Sequence, residues 1–171
     1  FQPFFGQMAA DILAQKYGAE IYFKNFSKSG MTSGWGKENI QPVVDQKPDL
    51  VILAWGMNDA SGRVSPQDYK ANILAQIEAV RAVNPQAEFI LVATMTANPE
   101  WTASAPEFYD QYRDILSQLC DSSVVLADVT SVWEYVLQHK KFADLTGNGV
   151  NHPNDFGHRI YAEVILSLLI E

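Results

Sequence analysis

Apolar residues follow two patterns along this chain, and the patterns alternate. Short unbroken runs occupy 49–55, 88–94 and 123–128 (Asp-Leu-Val-Ile-Leu-Ala-Trp, Glu-Phe-Ile-Leu-Val-Ala-Thr and Ser-Val-Val-Leu-Ala-Asp), each bounded by turn formers. Runs this short suit strands covered on both faces. An aromatic-rich, alternating stretch at 20–26, with Ile21, Tyr22 and Phe23, predicts a further strand that breaks into the small, polar loop 27–34.

Between the runs the apolar spacing is helical. Phe5, Met8, Ile12 and Leu13 predict a helix over 6–17, and Gly18 stands where a left-handed residue closes one. Ser65-Pro66-Gln67-Asp68 combines an N-cap, a proline at the first helical position and an acid three residues after the cap. The stripe Tyr69, Ile73, Ile77 and Val80 follows, and Asn84-Pro85 stops the helix. Ser104-Ala105-Pro106-Glu107 repeats the capping signal ahead of Phe108, Tyr112, Ile115, Leu116 and Leu119. A weaker helix at 36–46, interrupted or started by Pro42, a short one at 132–138 and a final one at 159–170 complete the pattern. The last carries Ile160, Tyr161, Val164, Ile165 and Leu168.

Strands with little alternation, separated by amphipathic helices, imply parallel βαβ units with helices on both sheet faces. The fold class is therefore α/β. In such sheets ligands sit at the carboxyl ends of the strands. The polar stretches 27–30 and 56–59 follow strands, and the loop around His152 leads into the last helix, so one site should gather all three.

Composition narrows the function classes. The 171 residues are the size of one domain, and 47% of them are apolar, enough for a buried core. Lys and Arg number 12 against 20 Asp and Glu, a net charge of -8 that argues against nucleic acid or an anionic membrane as partner. The single Cys120 cannot close an internal disulfide, and no apolar run reaches the roughly 18 residues of a membrane span. With three His, one Cys and no metal-ligand spacing, neither a metal nor another cofactor is expected.

The candidate chemistry lies in three places. Asn148-Gly149-Val150-Asn151-His152-Pro153-Asn154-Asp155 is a turn-rich loop that sets His152 just ahead of a helix start, with Asn154 or Asp155 able to cap it. Ser29-Gly30 follows Asn25 in the small polar loop, and Gly56-Met57-Asn58-Asp59 follows a buried run. His158 falls in the first turns of the last helix, where packing or capping is the expected use, and His139 marks a solvated helix end.

Taken together, these segments resemble the second, third and fifth sequence blocks of the SGNH (GDSL-type) hydrolase superfamily, in matching order and spacing over nearly the whole chain. The resemblance implies an ester hydrolase on a flavodoxin-like three-layer α/β/α sandwich with a parallel sheet. It also implies an oxyanion hole built from the Gly30 N–H, the Asn58 side-chain amide and the nucleophile's own N–H. Fixed neutral donors are what a tetrahedral intermediate needs, because its negative charge gathers on one oxygen. His152 would be the general base, a role suited to an imidazole.

Two departures shape the expectation. Nothing here matches the family's Gly-Asp-Ser block, so the nucleophile should come from a segment upstream of residue 1. In the order 2-1-3-4-5 of such sheets, the strand bearing that block is the first in sequence and lies inside the sheet. The chain therefore reads as one SGNH-like domain over 1–171 that lacks its first strand, to be completed by roughly 20 or more preceding residues from the same gene. Gly149 also stands where the family usually places an aspartate. A backbone carbonyl, Asn148, Asn151 or Asp144 would then orient His152, with Asp144 first among the carboxylates.

The substrate expected from this resemblance is a small-molecule ester, a small acyl group on a carbohydrate or another polar alcohol. Trp101 in the loop 98–101 is the aromatic that would face it. The compartment stays open, the carbohydrate-esterase analogy pointing toward a secreted or periplasmic protein. The competing class is a non-catalytic binding module on the same fold that has lost its nucleophile and acid. A nucleotide-binding flavodoxin-like domain is disfavoured, because no Gly-rich phosphate loop follows any of the strands.

Overall fold

The computed structural model describes residues 3–170. Helix α1 (Phe5–Tyr17) closes on Gly18 in the left-handed conformation, at φ 60°. Two short helices, α2 (Ser33–Glu38) and α3 (Gln41–Val44), lead into strand β1 (Leu50–Leu53). The single turn α4 (Met57–Ser61) follows, then the long α5 (Pro66–Arg81), capped as its sequence predicts by the Ser65 hydroxyl accepting the Asp68 N–H at 3.1 Å. Strand β2 (Glu88–Ala93), helix α6 (Tyr109–Gln118) and strand β3 (Val124–Asp128) continue the alternation. Helices α7 (Val129–Leu137), α8 (Phe142–Leu145) and α9 (Asp155–Leu166) end it.

The strands form a parallel sheet in the order β1-β2-β3, with Leu50 beside Glu88 and Phe89 beside Val124. That register puts Val51, Leu53, Phe89, Leu91 and Val124 on one face, where they pack with Tyr69, Ile73, Ile77 and Val80 of α5 and with Tyr112 and Leu116 of α6. The other face presents Ile90, Val92 and Ala127 to Ala9 of α1, Trp133 of α7, Leu145 of α8 and Ile160 and Ile165 of α9. Both faces of β2 are buried, which is why its sequence is an unbroken apolar run. Each fully buried aliphatic contributes about 1.5–3 kcal/mol, so these two shells hold the three layers together.

Four local expectations are corrected. Residues 20–26 are not a strand: they make no ladder hydrogen bond with another described residue, and Ile21, Tyr22 and Phe26 are exposed. The alternating pattern asks for a sheet neighbour, and none of the described residues supplies one. The weak helix at 36–46 is two helices, parted before Pro42, and the first already starts at Ser33 inside the expected loop. Ser104 does not cap α6: its buried hydroxyl has no partner among the described residues, and a 3-10 turn at Pro106–Phe108 leads in instead. The last helix starts at Asp155, earlier than its apolar stripe, because Asn154 accepts the Gly157 N–H and caps it there.

Candidate active site

At the end of β1 the chain turns sharply. Gly56 sits at φ 125°, ψ -35°, a region closed to other residues, and a Cβ there would meet the Thr94 methyl at 3.0 Å. The turn lets α4 begin at once and brings its first residues back over the sheet edge. Asp59 is fully buried and accepts the Gly56 N–H at 3.1 Å, the Ser33 N–H at 2.9 Å and the Ser33 hydroxyl. Two buried α5 amides complete the network, Asn72 donating to the Ser33 hydroxyl at 3.1 Å and Gln76 to the Ser33 carbonyl at 3.3 Å. Burial pushes the Asp59 carboxyl above its ordinary range, and the hydrogen bonds from Ser33 and Gly56 offset only part of that.

Asn58, one residue earlier, is half-buried, and its Nδ2 donates to the Met31 carbonyl at 3.0 Å. Two adjacent side chains thus hold the loop that carries Gly30, Asn58 through Met31 and Asp59 through Ser33. Gly30 lies at φ 79°, and its N–H donates to no other described residue. A Cβ at this position would have open space around it, so the backbone angle and not crowding requires glycine.

His152 is presented by a closed hairpin. Thr146 and Pro153 form an antiparallel bridge, and the Gly147 N–H donates to the His152 carbonyl at 2.9 Å. Inside the loop Asn148 Oδ1 accepts the N–H groups of Val150, Asn151 and His152 at 3.0, 3.0 and 3.1 Å. The loop after β2 grips it from outside: the Asn98 N–H donates to the Val150 carbonyl at 2.9 Å and Asn98 Nδ2 to the Gly149 carbonyl at 3.0 Å. That loop is itself tied to α9, since the Tyr161 hydroxyl accepts the Met95 N–H at 2.8 Å and lies 3.0 Å from the Thr94 hydroxyl.

Gly30 and Asn58 are therefore together, and His152 sits on a third loop joined to theirs through residues 94–98. The exposed His152 ring makes no hydrogen bond to another described residue. Asp144 belongs to α8, where its Oδ2 accepts the Lys141 N–H at 2.9 Å and its carbonyl accepts Asn154 Nδ2 at 2.9 Å; its Oδ1 takes no bond from a described residue. Trp101 is half-buried against the α5–α6 side of the core, in the same loop as Asn98. His158 is half-buried beside the Phe5 ring, 6.1 Å between centroids, and burial pulls its pKa down against the opposing charge of Asp155. His139 is exposed at a helix end. Reading the sequence missed Asn98; the turn former Asn98-Pro99 was the available signal.

A family model described as the GDSL-like lipase/acylhydrolase family matches residues 2–160. The chain belongs to that family, and its class is that of an esterase or acylhydrolase acting on carboxylic esters. Among curated proteins, none matched the sequence. Solved structures share the fold. An acetylxylan esterase from Geobacillus stearothermophilus is 22% identical with a TM-score of 0.82, 96% of this chain and 80% of that one being covered. An α/β hydrolase from the metagenome of Lake Arreo, Spain, is 23% identical at a TM-score of 0.80, with the same coverage. A carbohydrate esterase family 3 protein from Talaromyces cellulolyticus is 18% identical at 0.73, covering 98% of this chain and 89% of that one.

Proposed function

We propose that the complete protein hydrolyses a carboxylic ester by a serine mechanism and removes a small acyl group from a carbohydrate or a similar polar alcohol. The observation that carries this reading is the contact between Asn58 Nδ2 and the Met31 carbonyl, which fixes Asn58 beside Gly30. An amide nitrogen has two N–H bonds. One anchors Asn58, and the other is left to point, with the Gly30 N–H, at a developing oxyanion.

The serine enters on a segment upstream of residue 1, together with the inner strand that β1 lacks. Its Oγ bonds to the acyl carbon while its proton passes to His152. The tetrahedral oxyanion rests on Gly30 and Asn58, and collapse breaks the bond to the alcohol, which leaves with the proton from His152. Water repeats the cycle on the acyl-enzyme and releases the acid. Asp144 is the carboxylate offered for orienting His152, through its unengaged Oδ1. Trp101 provides the aromatic face for the alcohol, because its loop is the one that grips the His152 hairpin. The acetylxylan and carbohydrate esterases of the same fold support this choice of substrate class.

The test is fluorophosphonate labelling and acetyl-ester turnover of the complete protein beside its His152→Ala variant. Expected are a labelled serine upstream of residue 1 and a loss of kcat by several orders of magnitude, as base removal costs about 10⁶ in subtilisin. Full turnover in His152→Ala would overturn the mechanism. Unchanged kcat in Asp144→Asn would remove Asp144 from it, and an unchanged KM in Trp101→Ala would remove Trp101.

A further inference from the structure

The position three residues before His152 is Gly149, which has no side chain to orient an imidazole, and its φ of 71° adds a flexible joint to the loop. Gly147 adds another. A hairpin with two glycines and an exposed histidine would ordinarily sample many shapes. Here the N–H groups of 150–152 and the carbonyls of 149, 150 and 152 are nevertheless engaged, from both sides. Asn148 Oδ1 collects the amides of 150, 151 and 152, and its Nδ2 donates to Asn151 Oδ1 at 2.9 Å. Asn98 takes the carbonyls of 149 and 150.

We propose that Asn98 and Asn148 are the positioning residues of the base: they fix the backbone from which His152 projects, doing by loop geometry part of what an acid at position 149 would do by direct contact. The inference rests on the reading of His152 as general base. Asn98 also couples the two halves of the site, because its own loop begins at Thr94, against which Gly56 packs. A change in the β2 loop is thereby transmitted to His152 without touching substrate.

The two asparagines use opposite functions, which makes the proposal separable from a general effect on folding. Asn148 acts chiefly as an acceptor, so Asn148→Ala loses the three amide bonds and Asn148→Asp keeps them. Toward the hairpin Asn98 acts as a side-chain donor, so Asn98→Asp loses the bond to Gly149 as Asn98→Ala does, while its Oδ1 still accepts the Glu100 N–H. In the complete protein, kcat on an acetyl ester should fall on the order of 10²-fold in Asn148→Ala, Asn98→Ala and Asn98→Asp, with KM little changed, since a displacement of about 1 Å carries that penalty. Asn148→Asp should restore most of it.

Amide hydrogen exchange provides the second readout: Val150, Asn151 and His152 should exchange at least tenfold faster in Asn148→Ala, with α5 and α9 unaffected. Turnover in His152→Ala separates the two failures. If that variant is active, the reading of the base falls; if it is inactive while Asn98→Ala and Asn148→Ala keep full kcat, the positioning proposal falls alone. It also falls if Asn148→Asp is no better than Asn148→Ala, or if exchange rises throughout the molecule.

Discussion

Asn58 and Asp59 are neighbours with different tasks, and the difference is one of burial. Asp59 has no contact with solvent and spends both carboxylate oxygens on backbone and hydroxyl donors, so its role is to lock the exit of β1 to the start of α2. In Asp59→Asn the new amide can keep one oxygen on Ser33 but turns a donor toward the Gly56 N–H. An unsatisfied buried donor costs about 1–3 kcal/mol, and a chain of this size loses about 2–4 °C of Tm per kcal/mol. Thermal melts of Asp59→Asn should therefore drop by several degrees. Asn58→Ala removes one half-buried hydrogen bond, to the Met31 carbonyl, and should lower Tm less than Asp59→Asn does, while kcat of the complete protein falls about 10²–10³-fold. A variant pair with the reverse pattern would show that the assignments of the two residues are exchanged.

At the scale of elements, α9 combines a cap, a packed stripe and a half-buried histidine, and each was legible to a different degree. Asn154 as cap and Ile160, Tyr161 and Ile165 as core follow from local chemistry and spacing, and so do α1, α5 and the three paired strands. What local reading could not provide are contacts set by distant partners. Asn98 lies about fifty residues from the carbonyls it holds. Likewise Ser104 carries a sound capping signal that the preceding loop overrides, and α4 and α8 are single turns made where an acidic side chain, the buried Asp59 or the exposed Asp144, folds back on its own backbone.

The half-buried His158 of α9 yields a prediction. Burial beside Phe5 lowers the His158 pKa in the folded state, so between its unfolded value near 6.5 and that lower value the unfolded chain binds more protons. Stability supplied by neutral His158 is present above that window and is lost as pH falls through it. Asp59 acts in the opposite sense, its raised pKa favouring the protonated fold. The informative measurement is accordingly the difference in Tm between the chain and His158→Gln at pH 7.5 and at pH 5.5. The pH dependence should be shallower in the variant, and parallel profiles would place the burden on other groups.

At the scale of the molecule, the sheet has two edges. β2 is paired on both sides, whereas β1 and β3 each have one described neighbour. The aromatic segment 20–26 stays unpaired, with Tyr22 82% and Ile21 42% exposed, and Leu50 at the start of β1 is 36% exposed. Only Phe23 of that segment turns inward, its ring covering Gly6 of α1 so closely that a Cβ there would lie 2.7 Å away. An apolar segment and a bare strand edge are each costly in water, and one inner strand between them would satisfy both. The upstream segment proposed to bring the serine is the natural occupant, because in the 2-1-3-4-5 order the nucleophile strand lies between those two positions. With that segment present, residues 20–26 become a paired strand and the Leu50–Leu53 amides gain a second neighbour. Chymotryptic cleavage after Tyr22, Phe23 and Phe26 should then be suppressed, and exchange of the β1 amides should slow at least tenfold relative to the chain of 171 residues. Identical cleavage and exchange with and without the segment would place it elsewhere and leave the edge of β1 to a different partner.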